Sequence, residues 1–262
     1  MSTGDPVEAG GWKRLVYPPL GIALTIGLWH WVCVHFEIST TVLPKPGLVL
    51  QAAIDRYDLL LAESWVTLKE TVSGFVLALA LGIPIAVVIT GSKTLNLMFY
   101  PILIALQSVP KVALAPILLV WLGTGFESKL AIAWLVAFFP IVVDTAAGLQ
   151  STPRELLELA RSLRASRWQV FSKVQFPAAL PFIVTGSKVA VTLAVIGAVI
   201  GEFVGSSEGL GYLLLAATSQ INSPLAFAAL FALAALGILV YLVVVGAEWL
   251  LSPLLPYAHP RE

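Results

Sequence analysis

"TPRELLELARSLRASRWQVFSKVQFPAALP", residues 152–181, gathers four arginines, two glutamates and a lysine in a chain that is 58% hydrophobic and only 11% charged. Soluble domains carry charge on about a quarter of their residues. With a mean hydropathy of +0.92, the rest of the chain suits hydrocarbon, and this stretch suits the water beside it. Around it the sequence divides into apolar runs near the ~20 residues that a helix needs to cross a bilayer core of ~30 Å. Six are read, at about 17–36, 66–90, 97–122, 128–149, 182–204 and 224–251. The expected fold is an all-α membrane protein, a polytopic helical bundle of about six transmembrane helices, with residues 17–251 as one transmembrane domain.

An even number of spans puts residues 1–16 and the tail, 252–262, on one side. Lys and Arg in short loops set the orientation. Lys13, Arg14, Lys93, Arg154, Arg161, Arg164, Arg167, Lys173 and Arg261 fall on one side, against Lys45, Arg56, Lys69 and Lys129 on the other. The charged stretch and both termini are therefore expected in the cytoplasm. Lys13 and Arg14 precede an apolar run as in a secretory leader. No small-x-small cleavage site follows, and Trp29 and Trp31 suit an interfacial belt, so a retained first span is expected.

Net charge is zero, which leaves a nucleic-acid partner without a basic footprint. Cys33 is the only cysteine, so neither a disulfide framework nor a cysteine metal site is open to this chain. His30 and His35 miss the i, i+4 spacing of a helical ligand pair, and no metal is expected. After Pro44 and Pro46, Leu48, Ala52 and, less regularly, Leu59 recur at helical spacing, which predicts a short amphipathic helix on the outer surface. The third span carries Pro101, Pro110 and Pro116, each without a backbone donor. Broken backbone survives in a membrane only against protein or a watery cavity.

Within the opening stretch, Thr152-Pro153-Arg154-Glu155 reads as a capping box with proline at the first helical position. Leu156, Leu159, Ala160 and Leu163 then fall on one face, with Arg154, Glu158 and Arg161 opposite. Ser166-Arg167-Trp168-Gln169 repeats the box and opens a second helix with Val170, Phe171 and Val174, which Pro177 and Pro181 are expected to stop. Two readings stand: a solvated loop with snorkelling basic side chains, or a stiff docking element for a cytoplasmic partner. The doubled caps favour the second.

Lys111, Asp144, Lys188 and Glu202 fall within or at the ends of spans, where ionisable groups are functional candidates. Asp144 and Lys188 are expected to neutralise each other. Glu202 either faces the headgroups or joins a pathway. Lys111 follows Gln107 by four residues at the proline break, and either lines a path that attracts an anion or snorkels. The candidate pathway is Gln107, Ser108, Lys111 and Glu202. "GSSEGLG", residues 205–211, is read as a tight outer turn that either receives a binding protein or is an ordinary loop.

Glu158-Leu159-Ala160, Arg164 six residues after Glu158, and Val174-Gln175-Phe176-Pro177 keep the spacing of the EAA loop of ABC-importer permeases. The chain resembles that family from about residue 65 to 250, including "SVPKVALAPILLVWLGTG" and "GEFVGSSEGLGYLL", and is most similar to its nitrate/sulfonate/taurine type. Leu159 and Arg164 depart from the pattern. Arginine in the glycine position would be strained at positive φ, so either the turn is made differently or the backbone there is ordinary.

The resemblance implies that this helix couples to an ATPase through Glu158, Leu159, Ala160, Arg161, Leu163 and Arg164. It also implies two ATPase subunits holding ATP and Mg, a second permease copy as homodimer, an extracytoplasmic solute-binding protein and the bacterial inner membrane. A small polar or anionic solute would cross by alternating access. The chain has no GxxxxGKS or GxxxxGKT phosphate loop, so no cofactor and no catalytic residue are assigned to it. The alternative, a stand-alone ion-coupled secondary transporter, calls for mid-membrane carboxylate pairs and inverted repeats, and the sequence offers neither. An intramembrane enzyme lacks HExxH, GxSxG and facing aspartates.

Overall fold

In hydrocarbon every backbone donor must be satisfied within the segment, so apolar runs of this length become helices. The computed structural model describes residues 11–251. The expectations for the first ten residues and for the tail from 252 fall outside the described residues. The helices are α1 (Gly11–His35), α2 (Pro46–Asp55), α3 (Tyr57–Gly91), α4 (Lys93–Gln107), α5 (Ala115–Leu122), α6 (Phe126–Gln150), α7 (Arg154–Ser162), α8 (Arg167–Val170), α9 (Phe176–Gly205), α10 (Leu210–Ser219) and α11 (Ser223–Leu251). Among the described residues, five helices are long and apolar enough to span, and the bent pair α4–α5 makes up to six.

The core is a sandwich of α3, α6 and α9, set by small residues. A Cβ on Gly74 of α3 would meet the Ala133 Cβ at 2.6 Å, and one on Gly197 of α9 would meet the Ala133 Cα at 2.7 Å. Gly82 likewise faces Ile141, so α3 and α6 run the same way. Gly201 faces Lys129, Gly186 faces Asp144 and Gly148 faces Phe182, so α9 runs against α6. Lipid gives helices no hydrophobic reason to associate, and close backbone approach through small residues supplies dispersion contacts instead.

Of the three prolines in the third span, one breaks it. Pro101 lies inside α4 and Pro116 sits in the first turn of α5, where a missing N–H costs nothing. Pro110 separates α4 from the 3-10 turn Lys111–Leu114, and the two arms meet at 89°. The stop expected at Pro177 and Pro181 does not occur. Helix runs through residues 167–205, because Phe171–Gln175 forms a π turn that re-routes the ladder and Pro177 falls in the first turn of α9.

α2 forms as expected, but its inward face is rotated by one residue. Val49 is buried with Leu60, Ala228 and Leu233, and Ala53 packs beside them, while Leu48 is exposed. Contact with α11, rather than the surface pattern, decides the face. Cys33 is buried, with its thiol directed at the Leu43 carbonyl at 3.7 Å, and His35 stacks on Trp31 at 4.7 Å.

Candidate functional site

The charged stretch folds as an elbow between α6 and α9. Its first capping box does not form. The Thr152 hydroxyl donates back to the Leu149 carbonyl at 3.1 Å, and Pro153 precedes α7 with no side-chain cap. The last carbonyls of α6 have no helical partner, and one of them captures the hydroxyl. The second box is complete. Ser166 Oγ accepts from the Gln169 N–H at 3.2 Å, and Gln169 Oε1 accepts from the Ser166 N–H at 2.8 Å.

Between the two lies Arg164, at φ +52°. The Ala165 N–H donates to the Ala160 carbonyl at 3.0 Å and the Arg164 N–H to Arg161 at 2.9 Å. This is a Schellman ending, with arginine in the left-handed position usually held by glycine. The bend is therefore made as glycine would make it, and the expectation of ordinary backbone or another turn at 164 is corrected.

The apolar face expected for α7 splits. Ala160 is buried and Leu156 half-buried, but Leu159 is 55% exposed and Leu163 73%. Trp168 is 70% exposed beyond the bend, and Glu158, Arg161 and Arg164 also face outward. Arg161, Arg167 and Trp168 border a hollow of about 740 Å³ that reaches Val87 and Gly91 at the end of α3.

A second cavity, of about 560 Å³, lies where the broken span meets α6 and α9, and Gln107, Lys111, Phe139, Asp144 and Leu193 are in its wall. The break frees the Gln107 carbonyl, and Lys111 Nζ donates to it at 2.8 Å while lying 5.1 Å from the Phe139 ring centroid. Ser108 sits at the break, exposed and outside that wall. The expected pairing of Asp144 with Lys188 is absent. Lys188 Nζ lies 2.6 Å from Glu248 Oε2 on α11. Asp144 packs on Gly186, and two residues on turn the α9 side chain about 200° away.

Glu202 faces neither headgroups nor this cavity. It is buried, and its Oε1 accepts from the Thr67 hydroxyl at 2.6 Å while Oε2 accepts from the Gly211 N–H at 2.5 Å. The Leu210 N–H donates to Thr67 Oγ1 at 2.9 Å, and the Gly209 N–H donates to Glu63 Oε2. Beside this lies an ion pair between Lys129 Nζ and Glu70 Oε1, 3.6 Å apart, both side chains at 2% exposure or less. The turn before α10 is thus tied by carboxylates to α3 and α9. Gly209 is at φ +101°, and a Cβ there would collide with Glu202.

Sequence reasoning missed Glu70, and it left Lys129 in an outer loop. The signal was present: Glu63, Thr67, Glu70 and Thr71 recur at i, i+4, i+7 and i+8, a polar stripe on an apolar span.

Residues 78–254 match the family described as the binding-protein-dependent transport system inner membrane component. Over 238 residues the chain is 35% identical to a probable ABC transporter permease protein of Haemophilus influenzae, covering 91% of this chain and 96% of that one. It is 38% identical over 237 residues to the formylaminopyrimidine transport permease protein ThiX of Halalkalibacterium halodurans, covering 90% and 94%. A chain of the inward-facing MetNI methionine ABC transporter superposes with a TM-score of 0.64 at 25% identity, covering 76% of this chain and 98% of that one. These likenesses displace the stand-alone carrier. The chain belongs to the binding-protein-dependent transport system inner membrane component family, as the membrane-spanning permease subunit of an ABC importer whose ATP is hydrolysed by a separate subunit.

Proposed function

We propose that two copies of this chain form a solute pathway, each presenting its 152–176 elbow to one of two ATPase subunits that bind ATP and Mg. The elbow and both termini face the cytoplasm. An extracytoplasmic binding protein delivers a small polar or anionic solute at the side of the 205–211 turn. Closure of the ATPases draws the elbows together and shifts the bundle between inward and outward openings, a population shift driven by the different affinity of the two states for ATP. The cavity beside Lys111 and Gln107 lies on the route.

One observation carries this reading. Leu159, Leu163 and Trp168 are exposed on an element that a Schellman ending and a capping box hold in shape. Snorkelling basic side chains would leave leucines turned inward, whereas an interface needs apolar anchors with a charged rim. Glu158, Arg161 and Arg164 supply that rim.

The test is made on the reconstituted importer. Leu163→Asp is expected to abolish co-purification of the ATPase. Glu158→Ala and Arg161→Glu are expected to keep ATP hydrolysis while uptake per ATP falls about tenfold, the effect of roughly 1.4 kcal/mol of lost coupling. Full transport by both charge variants, with Leu163→Asp still holding its ATPase, overturns the assignment of the elbow.

A further inference from the structure

The cavity beside the broken span contains two opposite charges that do not meet. Lys111 enters it from the break and Asp144 from α6; the two are not ion-paired with each other, and Lys188, the other candidate partner of Asp144, is taken by Glu248. Lys111 Nζ is anchored to the Gln107 carbonyl and over Phe139, so it is held in place rather than swinging toward Asp144. Asp144 follows Phe139 by five residues, which puts it about 7.5 Å further along the α6 axis. Between these two levels the wall is apolar, with Pro140 and Val143 on α6 and Val189 of α9, which the α6–α9 register sets opposite residue 141.

A cavity with one positive end, one negative end and an apolar middle matches a solute with the complementary layout. Lys111 alone would favour an anion. Asp144 in the same space removes that preference, because a bare anion placed there meets a carboxylate, and a bare cation meets an ammonium. A second copy of the chain would add one charge of each sign and leave the balance at zero.

From this we infer that the transported solute is a small, net-neutral amphoteric molecule. Its acceptor or anionic group is held by Lys111, its donor or cationic group by Asp144, and a flat or apolar segment lies between. The inference rests on the reading of this cavity as part of the route, and it narrows "polar or anionic" to one class.

The test separates the two claims. In the permease–ATPase complex reconstituted in nanodiscs, Cys33→Ala removes the only cysteine and Val189→Cys places a reporter in the cavity wall between the two charges, at a side chain that is nearly half exposed. Water-soluble methanethiosulfonates are expected to modify it. If they do not, the cavity is dry and the route itself is wrong.

Protection is then measured with three matched probes: benzoate, benzylamine and 4-(aminomethyl)benzoate. The amphoteric probe is expected to protect at a concentration about tenfold lower than either single-charge probe, the worth of one added charged contact. Asp144→Asn should erase its advantage over benzoate, and Lys111→Gln its advantage over benzylamine. Labelling without protection by any probe, equal or better protection by benzoate, or an unchanged ranking in Asp144→Asn overturns the solute class while leaving the route intact.

Discussion

Arg164 occupies a backbone region in which an L side chain costs about 1–2 kcal/mol relative to its ordinary conformations. Arg164→Gly is expected to relieve that strain and slow amide hydrogen exchange in residues 160–166 of the isolated permease by roughly fivefold or more, since 1 kcal/mol corresponds to about that factor. Glu202 carries the opposite kind of residue-level stake. Glu202→Ala leaves the Thr67 hydroxyl and the Gly211 N–H buried without their acceptor, each worth about 1–3 kcal/mol. Its melting temperature in detergent should fall by several degrees, and Glu202→Gln, which keeps one acceptor oxygen, should fall less. The sequence places Glu202 inside a span but says nothing of its partners, because those come from α3 and from the turn before α10. Pairing across helices depends on rotation, and the apolar runs leave rotation open. For the same reason the sequence suggests Asp144 as the partner of Lys188, whereas α9 turns that lysine toward Glu248.

At the scale of elements the sequence was legible wherever length and hydropathy decide. All six expected spans have a helical counterpart, the short helix after Pro46 is present, and the third span breaks at Pro110. What was not legible is which proline matters. A proline in a first helical turn loses no bond, and a π turn absorbs one further in, so Pro116 and Pro177 leave the helix intact. The elbow shows the same limit. Ser166 caps as its spacing predicts, whereas Thr152 is claimed by the end of α6. Packing of α6 on α9 follows from glycine, and Gly197→Val tests it. A Cβ there already lies 2.7 Å from the Ala133 backbone, so valine must push the helices apart. The expected result is loss of folded permease at 37 °C, while Gly237→Val, which meets nothing within 4 Å, keeps full yield in a fluorescence-detected size-exclusion profile.

For the molecule as a whole, the two ends of the bundle are distinct: the elbow closes one and the 205–211 turn closes the other, with the α6–α9 register running between them. In cells carrying the Cys33→Ala background, an impermeant thiol reagent added from outside should label Ser207→Cys and spare Ser162→Cys, and the reverse pattern inverts the topology. Both positions are exposed. The uninterrupted run from Arg167 to Gly205 joins these ends with 39 residues, about 58 Å of rod at 1.5 Å each. Its one irregular turn, at Phe171–Gln175, sits close to the elbow, and the ladder above it is regular α-helix from Phe176 to Gly205. The foot of this rod is part of the elbow and its far tip is bonded through Glu202 to the first turn of α10, so a single continuous element connects the two faces of the membrane.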